Sequence, residues 1–306
     1  MGARAGPESS PADRRWQSGL SNGMMGLCAL NGCVSLLRPL CLVTGANTGI
    51  GFEVARGLAR MGARVVLACR DPAKGEIARN SIARSTGNND VQLLVVDLAS
   101  QGSIRTAAQK FSETHSALNV LVNNAAVGPP SRQQSPDGIE LTFATNVLGY
   151  FLLTQLLLDP LRGAAASRVV NVVSRMAYGL DLSDVEFKRR PYDPATAYAQ
   201  SKQADRMLTW ALAQRLESTS VTANAVTPGV VNTKLLHALA PRSSGRTPAE
   251  GADSVLWLAM SPEVAGANGR FWAERREQPC EFRSRQDLEA LWSLCEQMTQ
   301  DRATRS

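Results

Sequence analysis

The chain predicts an α/β fold, a single doubly wound parallel sheet with helices on both faces. Three observations carry this expectation. Short apolar runs alternate with helix-length segments along most of the sequence, as in a parallel sheet whose strands are buried on both sides. The first run, Leu40 to Val43, feeds straight into the glycine-rich stretch Thr44-Gly45-Ala46-Asn47-Thr48-Gly49-Ile50-Gly51 and then into a helical pattern over Phe52 to Met61. The length, 306 residues with 44% hydrophobic, is enough to bury one substantial core.

Taken in order, strands are expected at 40–43, 64–69, 91–97, 119–123, 168–173, 221–226 and 269–272. After the second, Asp71-Pro72 suits the N-cap and first position of a helix, because the aspartate accepts from a free amide and the proline has none to satisfy. A helical stretch covers Gly138 to Leu158, a long one begins at Tyr198, and a tail helix runs from Gln286 to Met298. Such a sheet binds its ligand at the carboxyl ends of the strands, near the point where the strand order reverses. No repeat of solenoid length interrupts it.

The glycine-rich turn has a chemical reading. Glycines at 45, 49 and 51 remove the Cβ atoms that would block a close approach to the backbone, and the following helix aims its amides and positive dipole end at the turn. That is a site for a dinucleotide's phosphates, although plain connectors also use glycine. Far along the chain, Tyr198 and Lys202 stand at i and i+4 on one helix face. A nearby ammonium favours the phenolate, so this tyrosine could exchange a proton with an alcohol or carbonyl oxygen. Alone, such a pair is common by chance and is usually just a solvated helix face.

Together, in this order and spacing, the two motifs resemble the short-chain dehydrogenase/reductase family and its Rossmann-type fold, over roughly Leu40 to Arg275. Further residues match. Asp97-Leu98 ends the third strand where the family's aspartate meets the adenine side of the cofactor, and Asn123-Asn124-Ala125-Ala126 looks like its Asn-Asn-Ala-Gly segment, with Ala126 in place of glycine. Asn146, Ser174, Tyr198 and Lys202 complete the catalytic tetrad the resemblance implies. Pro228, Gly229, Val231 and Thr233 fall where the family caps the nicotinamide, the threonine bonding its carboxamide. The implied cofactor contacts are thus Gly45, Asn47, Thr48, Gly49, Ile50, Gly51, Arg70, Asp97, Leu98, Asn124, Ala125, Tyr198, Lys202 and that last group. Arg70 at the end of the second strand suits a 2′-phosphate, so NADP(H) is expected over NAD(H).

Tyr198 follows Ser174 by 24 residues, about twice the interval of many relatives, and the insertion carries Tyr178, Leu180, Leu182 and Phe187 over the expected site. With Ser261-Pro262-Glu263, Gly269-Arg270-Phe271 and the tail helix, this looks like the retinol dehydrogenase branch. The branch implies NADP-linked interconversion of an alcohol and a carbonyl on a small lipophilic substrate, a retinoid, aldehyde, ketone or steroid-like molecule. Lys234 to Arg246 is shorter than the branch's usual substrate lid. Two other readings stay open: a cofactor-binding regulator or scaffold with impaired catalysis, and a nucleotide-sugar epimerase-like enzyme.

The net charge of +6 comes from scattered basic residues with short clusters at Lys188-Arg189-Arg190 and Arg275-Arg276, so no nucleic-acid partner is expected and peripheral attraction to a membrane is the alternative. Only His115 and His237 are present and no C-x-x-C pair occurs, so no metal site is expected. The cysteines at 41 and 69 read as reduced core thiols, and the expected location is intracellular, cytoplasmic or membrane-associated. Residues 1–38 are read as a disordered or targeting segment, 39–276 as the oxidoreductase domain and 277–306 as C-terminal helix and tail. A homodimer would use the helices bearing Asn146 and Tyr198, where Phe143, Leu148, Phe151, Met207 and Trp210 either form an apolar surface or pack on the sheet.

Overall fold

The computed structural model describes residues 38–300, so the segment read as 1–38, disordered or targeting, lies outside it but for its last residue, as does the end of the tail. Among the described residues one sheet holds eight strands, β1 (Leu40–Thr44), β2 (Arg64–Cys69), β3 (Val91–Val95), β4 (Val120–Asn123), β5 (Ser167–Val172), β6 (Val221–Thr227), β7 (Phe271–Ala273) and β8 (Arg276–Gln278). Their order is β3-β2-β1-β4-β5-β6-β7-β8. The pairs from β3 through to β7 are parallel, and β8 runs antiparallel to β7. β1 and β4 are buried along their whole length, which is why they read as continuous apolar runs. The order reverses between β1 and β4, and the crevice at their carboxyl ends is where such sheets bind ligands.

The helices are α1 (Gly49–Arg60), α2 (Pro72–Thr86), α3 (Gln101–Thr114), α4 (Gly149–Leu156), α5 (Leu158–Arg162), α6 (Pro194–Arg215), α7 (Lys234–Leu239), α8 (Pro248–Met260) and α9 (Arg285–Thr299). Asp71 caps α2 as expected, its carboxylate accepting from the Lys74 amide at 3.1 Å with Pro72 in the first turn. Side chains cap α3, α6, α7, α8 and α9 in the same way, from Ser100, Asp193, Thr233, Thr247 and Ser284.

Three local expectations are corrected. β3 stops at Val95, short of residue 97, because the Asp97 carboxylate accepts from the Ala99 amide at 3.0 Å and turns the chain out of the sheet. The last parallel strand begins at Phe271, not at 269, and returns as β8 through Glu274 and Arg275, both at positive φ. Neither is the glycine or asparagine that announces such a turn, so the hairpin has no sequence signal. The helix expected from Gly138 begins later. Buried Glu140 accepts from the amides of Thr142 (2.8 Å) and Phe143 (2.7 Å), then the chain runs as a π-helical turn over Phe143–Leu148 before α4.

Phe143, Leu148, Phe151, Met207 and Trp210 are all buried inside this chain, so of the two readings the packing one holds and they offer no apolar surface for pairing. The tail helix α9 packs on α6 and the π-turn. Trp292 meets Phe151 edge to face at 4.9 Å, and Arg215 lies 4.0 Å over the Trp292 ring.

Candidate active site

The glycine turn joins β1 to α1 and is shaped first by the protein's own packing. Gly45 has φ +66°, and a Cβ there would sit 2.9 Å from the Ala125 Cα; one at Gly51 would sit 2.4 Å from the Asn124 side-chain nitrogen and 2.5 Å from the Gly45 carbonyl. These glycines let the end of β4 close against the turn, a different reason from ligand approach. Asn124 donates to the Thr44 carbonyl at 2.9 Å, and the Thr44 hydroxyl accepts from the Asn124 and Ala125 amides at 2.8 and 3.1 Å. Thr48, at the N-cap of α1, makes no side-chain cap, and no acidic residue occupies the first turn. Among the long helices that begin after a loop, α1 is the one whose first amides are left to another acceptor, which fits a phosphate.

Asn146 sits in the π-turn, fully buried, and clamps the backbone of Val127 from both sides. Its Oδ1 accepts from the Val127 amide at 2.9 Å and its Nδ2 donates to the Val127 carbonyl at 3.0 Å. The same Nδ2 donates to the Ser201 hydroxyl at 3.0 Å, which donates to the Tyr198 carbonyl at 2.7 Å. Asn146 therefore ties the loop after β4 to the first turns of α6. Its amide does not itself reach Lys202.

Ser174 follows β5, its hydroxyl accepting from the Met176 amide at 3.1 Å and facing the Tyr198 phenol. Tyr198 is partly exposed on α6. Burial raises its pKa above the ordinary value, against the opposing pull of Lys202 and the Ser174 hydrogen bond. One turn on, Lys202 is 1% exposed, with Nζ 5.9 Å from the Tyr198 ring centre and donating to the Val172 carbonyl at 3.1 Å. Sequence reasoning missed its closest partner: Asp205 Oδ2 lies 2.8 Å from Nζ, and both side chains are buried. The spacing from Lys202 to Asp205 puts them on one helix face, a legible signal, but their burial is not.

The remaining predicted residues follow the carboxyl ends of β2, β3, β4 and β6. Arg70 is exposed after β2, while Asp71 beside it is occupied in capping α2 and in an ion pair with Lys74 at 2.8 Å. Leu98 turns its side chain into the core, so any contact with a ligand is through its backbone. Val231 is likewise buried, bridging to Arg246 and packing on Gly251. Gly229 has φ +80° in the loop after β6. Thr233 brings its methyl within 3.6 Å of where a Gly49 Cβ would lie while its hydroxyl accepts from the Leu236 amide, so β6's loop closes onto the glycine turn.

The insertion between Ser174 and Tyr198 is firmly tied. Asp184 accepts from three successive amides, Lys188 (2.7 Å), Arg189 and Arg190 (both 3.1 Å), and Tyr192 donates to the Pro129 carbonyl at 3.1 Å. Phe187 does not hang over the site; it is buried against Tyr192, with Arg190 4.2 Å over its ring. Tyr178 is exposed. The basic cluster at 188–190 spends its charges within the insertion, Lys188 on Glu186 and Arg190 near Asp184. Lys234 to Arg246 forms the short α7 and a loop whose end is pinned by the Arg246 amide donating to Val230 at 2.9 Å; Leu235 and Leu239 face Gly128. Among the described residues there is no metal-binding cluster, and no helix is long and apolar enough to cross a membrane.

The sheet whose order reverses between β1 and β4 therefore carries, at its carboxyl ends, a glycine turn opening an uncapped helix and a serine and a lysine beside a tyrosine. The chain belongs to the short-chain dehydrogenase family, whose model matches residues 39–243. It is 37% identical over 301 residues to mouse retinol dehydrogenase 12, covering 94% of this chain and 92% of that one. A solved protein of Mycobacterium paratuberculosis matches with TM-score 0.70 and 32% identity, over 88% of this chain and 98% of that one. A short chain dehydrogenase of Escherichia coli CFT073, solved with NADPH, matches with TM-score 0.65 and 26% identity, over 80% of this chain and 100% of that one.

Proposed function

We propose that this oxidoreductase interconverts an alcohol and a carbonyl on a small lipophilic substrate using NADP(H), with Asn146, Ser174, Tyr198 and Lys202 as its working residues. The observation that carries the proposal is Tyr198, partly exposed, with the Ser174 hydroxyl at its phenol and the Lys202 ammonium 5.9 Å from its ring. When bound, the nicotinamide supplies or accepts the hydride.

The protein's own part is to hold the reacting oxygen and move its proton. Tyr198 gives its proton to the carbonyl oxygen in reduction and takes one from the alcohol in oxidation. Ser174 donates to the same oxygen and stabilises the negative charge that develops there. Lys202 favours the tyrosine's ionised form, and Asn146 keeps the start of α6 in register with the loop after β4. Gly45 to Gly51, Asn124 and Ala125 would hold the phosphates and adenosine, and Pro228, Gly229, Val231 and Thr233 the nicotinamide end, with Asp97 and Leu98 beside the adenine. Arg70, exposed where Asp71 is committed to α2, supports a 2′-phosphate and hence NADP(H). The name of the mouse relative supports a lipophilic alcohol or aldehyde as substrate. The exposed insertion residue Tyr178 and the short segment at 234–246 support a pocket more open than a long lid would leave.

The test is a titration of the purified protein with NADPH and NADH by nicotinamide fluorescence, then a panel of hydrophobic aldehydes and ketones with the preferred cofactor. NADPH binding tighter than NADH, and its oxidation by a panel member, is the expected result; replacing Arg70 with alanine should erase most of the preference. Binding without turnover across the panel would instead favour a cofactor-binding regulator.

A further inference from the structure

Behind the tetrad, Lys202 has a counter-ion of its own. Asp205 lies one turn further along α6, its Oδ2 2.8 Å from the lysine nitrogen, and the two side chains are 1% and 2% exposed. The lysine's other hydrogen bond goes to the Val172 carbonyl at 3.1 Å, at the end of β5. The ammonium also lies 5.0 Å from the ring centre of Tyr150 and 5.9 Å from that of Tyr198.

Asp205 is poorly suited to a purely structural post. A buried ion pair gains little over well-packed apolar groups, because both charges lose their water. Here the acid is not fully satisfied either: Oδ1 is buried with no hydrogen-bond partner, as is the Tyr150 hydroxyl. Both residues line a cavity of about 20 Å³ with Thr154, Asn171 and Trp292, room for about one water by the usual requirement of roughly 10–15 Å³. A charge kept at such a place acts on its neighbours' protons. The titratable groups facing it are Lys202 and Tyr198 from α6, Tyr150 from α4 and Cys295 from α9.

We propose that Asp205 is a positioning residue of the active site, fixing the Lys202 ammonium by their buried ion pair and, by opposing its charge, setting how readily Tyr198 gives up its proton. This rests on the roles given above to Tyr198 and Lys202. The sign follows from the arrangement. Lys202 draws Tyr198 toward the phenolate and Asp205 pushes it back. The carboxylate is itself strained, burial raising its pKa to about 6 against the pull of Lys202. Removing the negative charge leaves the ammonium unopposed, so the phenol ionises at lower pH.

The experiment reads the phenolate directly, without cofactor or substrate. The sequence has only four tyrosines, so alkaline difference absorbance of each protein against its own Tyr198→Phe version isolates Tyr198. In Asp205→Asn the midpoint should fall by about half a unit to one unit, less than the 1–3 units typical of a charge in direct contact. Asp205→Glu, which keeps the charge, should stay with the wild type. An unchanged or raised midpoint in Asp205→Asn overturns the proposal, and so does an Asp205→Glu profile that follows Asp205→Asn. If Asp205→Asn does not fold, Asp205→Ser, whose smaller side chain leaves room for a water, is read in the same way: a Tyr198 midpoint lowered by about half a unit to one unit supports the proposal, and an unchanged or raised one overturns it. Because no turnover is needed, a failure to find a carbonyl substrate leaves this result readable.

Discussion

Tyr198 holds its proton at neutral pH because burial disfavours the phenolate more than Lys202 and Ser174 favour it. That sets a pH dependence whose sign can be worked out. Reduction uses the neutral phenol, so its kcat/KM should be flat through neutral pH and fall as pH rises through the tyrosine's raised pKa. Oxidation needs the phenolate and should rise over the same alkaline limb. Initial rates in both directions test this, and an oxidation rate flat through the alkaline range would remove Tyr198 from the role. Tyr198→Phe should lower kcat by about 10²–10⁴-fold with cofactor affinity nearly unchanged. These residue types and spacings were readable, since tyrosine and lysine share a helix face by geometry alone. Asp205 shares it too, three residues on, yet its burial against Lys202 is visible only in the folded chain.

Elements divide by how local their causes are. Asp71-Pro72 starts α2 where expected because an N-cap needs nothing beyond its own first turn. The β7–β8 hairpin escaped because Glu274 and Arg275 adopt positive φ without the usual turn residues. The π-turn escaped because the width of a helical turn depends on what packs around it; Glu140 starts it and Asn146 reaches from it to Val127, both contacts set by the assembled fold. α9 was expected as a helix, but not as the cover over α6. Trp292 is 6% exposed and edge to face with Phe151. Trp292→Ala should therefore cost about 3–5 kcal/mol of stability, measured by urea unfolding, whereas a change within experimental error would mean α9 is not bound where it lies.

At the scale of the whole molecule, ligand binding and folding are linked, because the glycine turn, the loop after β4 and the loop after β6 close on one another around the expected cofactor position. NADPH at a hundred times its Kd should stabilise the fold by about 2.7 kcal/mol. In a thermal scan this appears as a rise of several degrees, with NADH at the same concentration giving less. Equal shifts from the two would count against Arg70 as the selector of the 2′-phosphate.

The sequence by itself determined the α/β class, the place of the glycine turn after the first strand and the shared helix face of Tyr198 and Lys202, because each depends on period, spacing and residue chemistry along short stretches. Only the tertiary structure decided why Gly45 and Gly51 are needed, which is the close approach of Asn124 and Ala125. It alone decided that Phe151 and Trp210 serve the core, that Phe187 packs within the insertion, and that Lys202 is held by Asp205. Those outcomes rest on which distant residues exclude water from one another, and that distance is not written in the spacing along the chain.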